Sequence, residues 1–209
     1  MRSRSTDAIV ALEHASGLQT VAMTEPLVFS PSFEALLRAL GGSLNDASKE
    51  QFRKLGVDYD QRLLPAYSLD VWVAAMELGS SLLTPNGSQA ERHYALGRRM
   101  VDSYGETLIG RALLAVMRVI GPRRSFERMT RNLRTTNNYT DSSFEASAEG
   151  QVTLWCSKVV SPEFYRGMFS RTLEAAGGTD ARVKVLSADA SGCKFAVSWK
   201  SGATGKSTG

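Results

Sequence analysis

Past Asn137-Asn138 the spacing of apolar residues changes from about 3.6 to about 2, and this switch restricts the chain to a helical half followed by a strand-rich half. Ser142 to Ser147 and Gln151 to Lys158 read as two strands joined by a turn at Glu149-Gly150, with Val152, Leu154 and Cys156 on one side and Trp155 on the other. Ser161-Pro162-Glu163 then starts a helix, with serine as cap, proline at the first position and glutamate near the positive end. Phe164, Met168, Thr172, Leu173 and Ala176 form its inner face, and Gly177-Gly178 stops it. Ala181 to Leu186 and Cys193 to Trp199 make a last hairpin across Ser191-Gly192, with Phe195, Val197 and Trp199 on one face. The sum is a ββαββ unit whose antiparallel sheet must be covered by helix, so the expected class is α+β.

The helical half reads from about residue 30 to 134. Ser30-Pro31-Ser32-Phe33-Glu34 opens a helix that Gly41-Gly42 ends, a second fits Asp46 to Leu55, and Leu69 to Leu83 resumes the spacing after an irregular stretch holding Pro65. Thr84-Pro85-Asn86-Gly87 is a turn, and Gln89 onward is helical again until a break near Tyr104 to Glu106. From Leu108 to Ile120 nearly every residue is apolar, the mark of a core helix. Arg111 and Arg118 alone interrupt it, on one face. At about 14 residues it is too short for a bilayer, which needs roughly 20. Past Gly121-Pro122 a further helix carries Arg124, Arg128 and Arg131 along one face and Phe126, Met129 and Leu133 on another.

The net charge of +4 is local: Arg118 to Arg134 holds six arginines against Glu127, which leaves the remainder at −1. With 43% hydrophobic residues the chain can bury one sizeable core, read as a single domain over 26–200 after a weakly patterned segment 1–25 and before a small-residue, disordered tail at 201–209. Two cysteines, Cys156 and Cys193, and no signal-like opening point to a reducing, cytoplasmic setting. Gly205-Lys206-Ser207 lacks the first glycine, the strand and the helix of a phosphate-binding loop.

Several short runs recur in a fixed order: Leu55-Gly56-Val57-Asp58, Leu64-Pro65-Ala66-Tyr67, Ala95-Leu96-Gly97-Arg98, Thr107-Leu108-Ile109-Gly110-Arg111, Gly121-Pro122-Arg123 and Arg134-Thr135-Thr136-Asn137-Asn138-Tyr139. With the closing Tyr165-Arg166-Gly167-Met168, Leu173-Glu174-Ala175-Ala176-Gly177 and Val197-Ser198-Trp199, this order resembles a myxobacteria-restricted family of proteins of unknown function (DUF2378-type) over residues 26–200. The resemblance implies no activity. More remotely, helices followed by strand, helix and hairpin resemble the fold of vinyl-reductase-type ligand sensors, haem nitric-oxide sensors and vesicle-tethering subunits, a likeness that does not carry function. The tyrosine, serine and arginine spacing with which the haem sensors grip propionates is not visible in this chain.

The candidate sites follow from these patterns. Arg111, with Tyr67, Trp72 and Tyr139, would line an apolar pocket and grip a carboxylate or phosphate at its mouth. The competing reading pairs Arg111 with Asp102 or Glu106. Arg124, Arg128 and Arg131 would meet an acidic protein partner; the absence of interleaved aromatics and of zinc or helix-turn-helix signatures argues against nucleic acid. His93 has no partners at ligand spacing and reads as a surface or core residue, so no metal and no cofactor are expected. Asn137-Asn138 would shape the helix-to-strand turn through left-handed backbone. No nucleophile stands beside a base, so a non-enzyme is expected. Two functions remain: a sensory or regulatory domain binding a small, largely apolar ligand in a bacterial signalling pathway, or a homodimeric interaction module whose basic helix recruits an acidic partner.

Overall fold

The structure, a computed structural model, describes residues 25–145 and 148–201; the segment before residue 25 and the tail after 201 lie outside it. The elements run in the order β1 (Leu27–Phe29), α1 (Ser30–Leu40), α2 (Asp46–Lys54), β2 (Ala66–Ser68), α3 (Leu69–Leu83), α4 (Gln89–Gly105), α5 (Leu108–Arg131), β3 (Ser142–Glu145), β4 (Gln151–Ser157), α6 (Pro162–Ala175), β5 (Gly178–Asp189) and β6 (Gly192–Ser201). Local chemistry sets most boundaries. Asn45 caps α2 in a capping box with Ser48, Ser88 does the same for α4 with Glu91, and Ser68, Thr107 and Ser161 accept the first free N–H of α3, α5 and α6.

The strand-rich half is an antiparallel sheet in the order β3-β4-β6-β5. Val152, Leu154 and Cys156 of β4 pair in register with Val197, Phe195 and Cys193 of β6, so one pleat face is wholly apolar and buried. Helix α6 covers that face through the edge-to-face contact of Phe169 with Phe195 (5.3 Å), and Phe169 also meets Phe126 of α5 edge-on at 5.3 Å. On its other side α6 meets α4 so closely that a Cβ at Gly97 would collide with the Phe164 carbonyl, and one at Gly167 with the Tyr94 carbonyl. Arg98 then grips Glu174 with two bonds of 2.8 Å, and Arg171 reaches Asp102 at 2.5 Å. Between sheet and helices, α6 buries more of its circumference than the single expected stripe: Tyr165, Phe169 and Ser170 are buried as well as Phe164 and Leu173.

Two expectations are corrected. The helical half contains strands: β1 and β2 pair antiparallel, Val28 opposite Tyr67, and Asn137 adds a bridge to Val28. Three-residue strands have too little period to be read locally. More importantly, the first half of α5 is not a core helix. Leu108 is 77% exposed, Ile109 73% and Val119 87%, while Leu114, Met117 and Ile120 turn inward. Apolar residues all round tell that both faces lack polar groups, not that both are covered by this chain.

The α5 helix breaks at Gly121 (φ 81, ψ 170), ahead of Pro122, which has no N–H to give. Ser125 repairs the gap by donating its hydroxyl to the Met117 carbonyl at 3.1 Å. This break lets the two halves of α5 diverge around a cavity.

Candidate functional site

The cavity holds about 830 Å³, within the range of small-molecule sites. Its roof is α5, through Leu113, Leu114, Val116, Met117 and Ile120; its floor is α6, through Phe164, Tyr165, Met168 and Thr172. Trp72 and Met76 of α3 and Met100 and Val101 of α4 close one end. At the other end stand Val28, the α1 start and the polypeptide from Ser125 to Tyr139. The sequence makes this space because the Gly121 break carries the apolar half of α5 away from α6, leaving the inner residues facing one another across a gap.

Five of the lining side chains are methionines: Met76, Met100, Met117, Met129 and Met168. Unbranched thioethers fit irregular and changing shapes, so the walls can repack around a guest. Two of the polar groups inside are already engaged. Thr172 donates to the Met168 carbonyl (2.9 Å), Tyr165 shares a 3.3 Å bond with Thr140, and burial pushes the Tyr165 hydroxyl up to about 12. Burial also raises the Tyr139 hydroxyl. Both phenols therefore stay protonated at neutral pH.

Of the predicted ligand residues, Trp72 and Tyr139 line the cavity. Trp72 packs edge-on against Phe164 at 6.3 Å. Tyr67 does not: it is buried beside Phe33, with ring centroids 4.3 Å apart, and its hydroxyl accepts the Leu64 N–H at 2.9 Å. Arg111 is not there either. It is exposed on the outer side of α5, outside the lining, and the acids proposed for it are taken, Asp102 by Arg171 and Glu106 by Arg99 at 2.7 Å. The arginine that reaches the cavity rim is Arg128. It lies with Arg124 and Arg131 on an exposed helix face, and Arg131 stands 3.7 Å from Glu127. A position in the last turn before the chain folds back over β1 distinguishes Arg128, and helix spacing alone could not show it.

The Asn137-Asn138 turn works differently from expectation. Neither residue has left-handed backbone. Instead the Asn137 side-chain oxygen accepts the N–H groups of Tyr139 (3.0 Å) and Thr140 (2.7 Å), while that of Asn138 accepts the Leu27 N–H at 2.8 Å. The pair fastens the cavity's open end to β1.

His93 is buried behind the floor. Its Nε2 lies 2.8 Å from Glu77 Oε2 and its Nδ1 2.8 Å from Ser161 Oγ. Because a carboxylate only accepts, Nε2 carries a proton; Nδ1 shares its bond with the Ser161 hydroxyl, and Ser161 Oγ also accepts the Phe164 N–H at 3.2 Å. Hydrogen bonds from Gln89 and then His93, with the neighbouring Arg92, hold the Glu77 carboxyl below the usual range. Glutamate, histidine and serine are the residue types of a nucleophile relay; here the serine is buried and its oxygen is also the cap of α6, accepting the Phe164 N–H. The same bonds bear on haem. An axial imidazole must offer a free ring nitrogen, and His93 offers none. Among the described residues no cluster of histidine, cysteine or acid could hold a metal ion, and no helix is long and apolar enough to cross a membrane.

Residues 26–200 match the model of a family described as "Protein of unknown function (DUF2378)". No curated protein matches the sequence. Among solved structures, the Fe(II) unliganded H-NOX protein from K. algicida superposes with a TM-score of 0.59 at 12% identity, covering 84% of this chain and 98% of that one. An oxygen-binding H-NOX domain related to soluble guanylate cyclases gives 0.55 at 13% identity, covering 82% and 94%. At such identity the likeness is one of fold.

Proposed function

We propose, for a chain that belongs to the DUF2378 family of proteins of unknown function, that it is a non-catalytic sensory or regulatory domain which binds a small, largely apolar ligand beneath α5 in a bacterial signalling pathway. The observation that carries the proposal is the methionine-rich cavity of about 830 Å³ between the broken helix α5 and α6. The likeness in fold to H-NOX domains, one of them an oxygen-binding domain in its oxygen complex, supports a ligand-binding reading. The engagement of both His93 nitrogens argues for an organic guest rather than an iron porphyrin.

In this reading α5 is the element that responds to the ligand. A guest that fills the gap contacts Leu114, Met117 and Ile120 on α5 and Met168 on α6 together, so it stabilises one setting of α5 over others by its differential contacts. The exposed outer face of α5, with Leu108, Ile109 and Val119, would pass that setting to a partner. This exposed face also favours a second reading, a homodimeric module, for which Arg124 and Arg131 supply a cationic margin toward an acidic partner.

Titration of the full chain with Nile red tests the first reading. The dye should bind saturably at one per chain with a blue-shifted emission, and Ala35→Trp, which places an indole in the lining, should abolish this while leaving the melting temperature within a few degrees. Binding that does not saturate, or that Ala35→Trp leaves intact, would sink it. A fluorophosphonate should leave Ser161 unlabelled, and labelling there would overturn the non-catalytic part. Sedimentation equilibrium decides the second reading: a monomer across the micromolar range excludes it.

A further inference from the structure

The cavity wall is chemically uneven: Trp72, Met76, Phe164 and Tyr165 are buried, whereas Arg128, Asn132 and Thr135 form a polar, exposed stretch of rim. None of the lining residues is acidic. The hydroxyls at the rim have their protons committed to backbone carbonyls, Ser125 to Met117 at 3.1 Å, Thr135 to Asn132 at 2.7 Å and Thr136 to Leu133 at 2.6 Å. The guanidinium of Arg128 is different. Arg123, Arg131 and Arg134 each lie within 4 Å of a carboxylate, Glu127 or Asp141, whereas Arg124 and Arg128 form no ion pair among the described residues, and of these two only Arg128 lines the cavity.

A guanidinium offers only donors and cannot lose its charge, so an unpaired one on the rim of an apolar cavity selects an anion. Arg124 and Arg131, one turn to either side, add to the positive potential there. The rest of the space has no place for charge. Five thioethers and the inward side of α5 suit a flexible hydrocarbon better than a rigid ring system.

We propose that the guest is a single-chain amphiphile with an anionic head, its carboxylate or phosphate held by Arg128 at the rim and its alkyl chain lying between α5 and α6 toward Trp72. This rests on the reading of the cavity as a ligand site. The salt bridge forms at an exposed rim and contributes modestly; most of the affinity comes from the buried chain, and Arg128 sets which head group is accepted. The same arginine holds either acid, because a carboxylate and a phosphate monoester both present two oxygens to the guanidinium fork.

The test is calorimetric titration of the full chain, below micelle-forming concentrations, with dodecanoate, dodecyl phosphate and dodecanol. One or both anions should bind wild type about tenfold more tightly than the alcohol. Arg128→Met should bring the anions to the alcohol's affinity and leave the alcohol unchanged, whereas Arg124→Met should keep the preference within about twofold. Whichever anion binds more tightly identifies the head group as carboxylate or phosphate. Equal affinity of all three ligands for wild type, or a preference that survives Arg128→Met, overturns the assignment of the head group while the cavity reading stands. Failure of all three to bind overturns both.

Discussion

Ser161 joins three structures through one oxygen: it caps α6, hydrogen-bonds His93 of α4 and, through that ring, reaches Glu77 of α3. Ser161→Ala should therefore cost about 2–3 kcal/mol, the lost cap plus an unsatisfied buried ring nitrogen, with Ser161→Thr recovering most of it; urea denaturation measures both. Arg111→Met should do nearly nothing, within about 0.5 kcal/mol, because the side chain is exposed. The cap was legible in Ser161-Pro162-Glu163 because capping is local. The partners of His93 were not, since they lie 16 and 68 residues away and no spacing rule links them. Arg111 misled for a related reason. A cation on an apolar helix reads as an anchor only if that face looks inward, and which face looks inward is decided by tertiary packing.

Among the elements, α6 holds the position that the sequence pattern assigns to α5. Its two faces pack on the sheet and on α4, and Gly97 and Gly167 mark where the helix backbones approach. Gly97→Ala or Gly167→Ala should push α4 and α6 apart and cost roughly 1–3 kcal/mol or more, read as a fall in melting temperature, because the colliding atoms are backbone and cannot step aside. Gly121→Ala meets nothing within 4 Å but must adopt a conformation reserved for glycine, for a cost of roughly 1–3 kcal/mol. The strands β3 to β6 were readable because alternation over several residues is specific. The lid role of α5 was not, since a helix over a cavity and a helix in a core use the same residues on their inner face.

At the scale of the molecule, two clamps join the helices, Arg98 and Arg171 on Glu174, and Arg92 and His93 on Glu77. The hydrogen bonds of Arg98 hold the Glu174 carboxyl below the usual range, and Gln89 and His93 do the same for Glu77. A carboxyl depressed in the folded state contributes stability that is complete above the ordinary glutamate value of about 4.3 and is lost as pH falls through the folded one. Melting temperature should thus be insensitive to these groups at neutral pH and drop below about pH 4, and Glu174→Gln should flatten that drop. The Glu174 clamp lies outside the cavity lining, whereas the Glu77 clamp reaches it through His93 and Ser161. In the proposed mode of binding, α5 closes over a guest held against α6. Amide hydrogen exchange along residues 108–120, with and without saturating Nile red, tests it most directly. Slowed exchange in that segment and in the facing turn of α6, with β5 and β6 unchanged, is the predicted result. Unchanged exchange in α5 on saturation, or protection confined to the sheet, would contradict it.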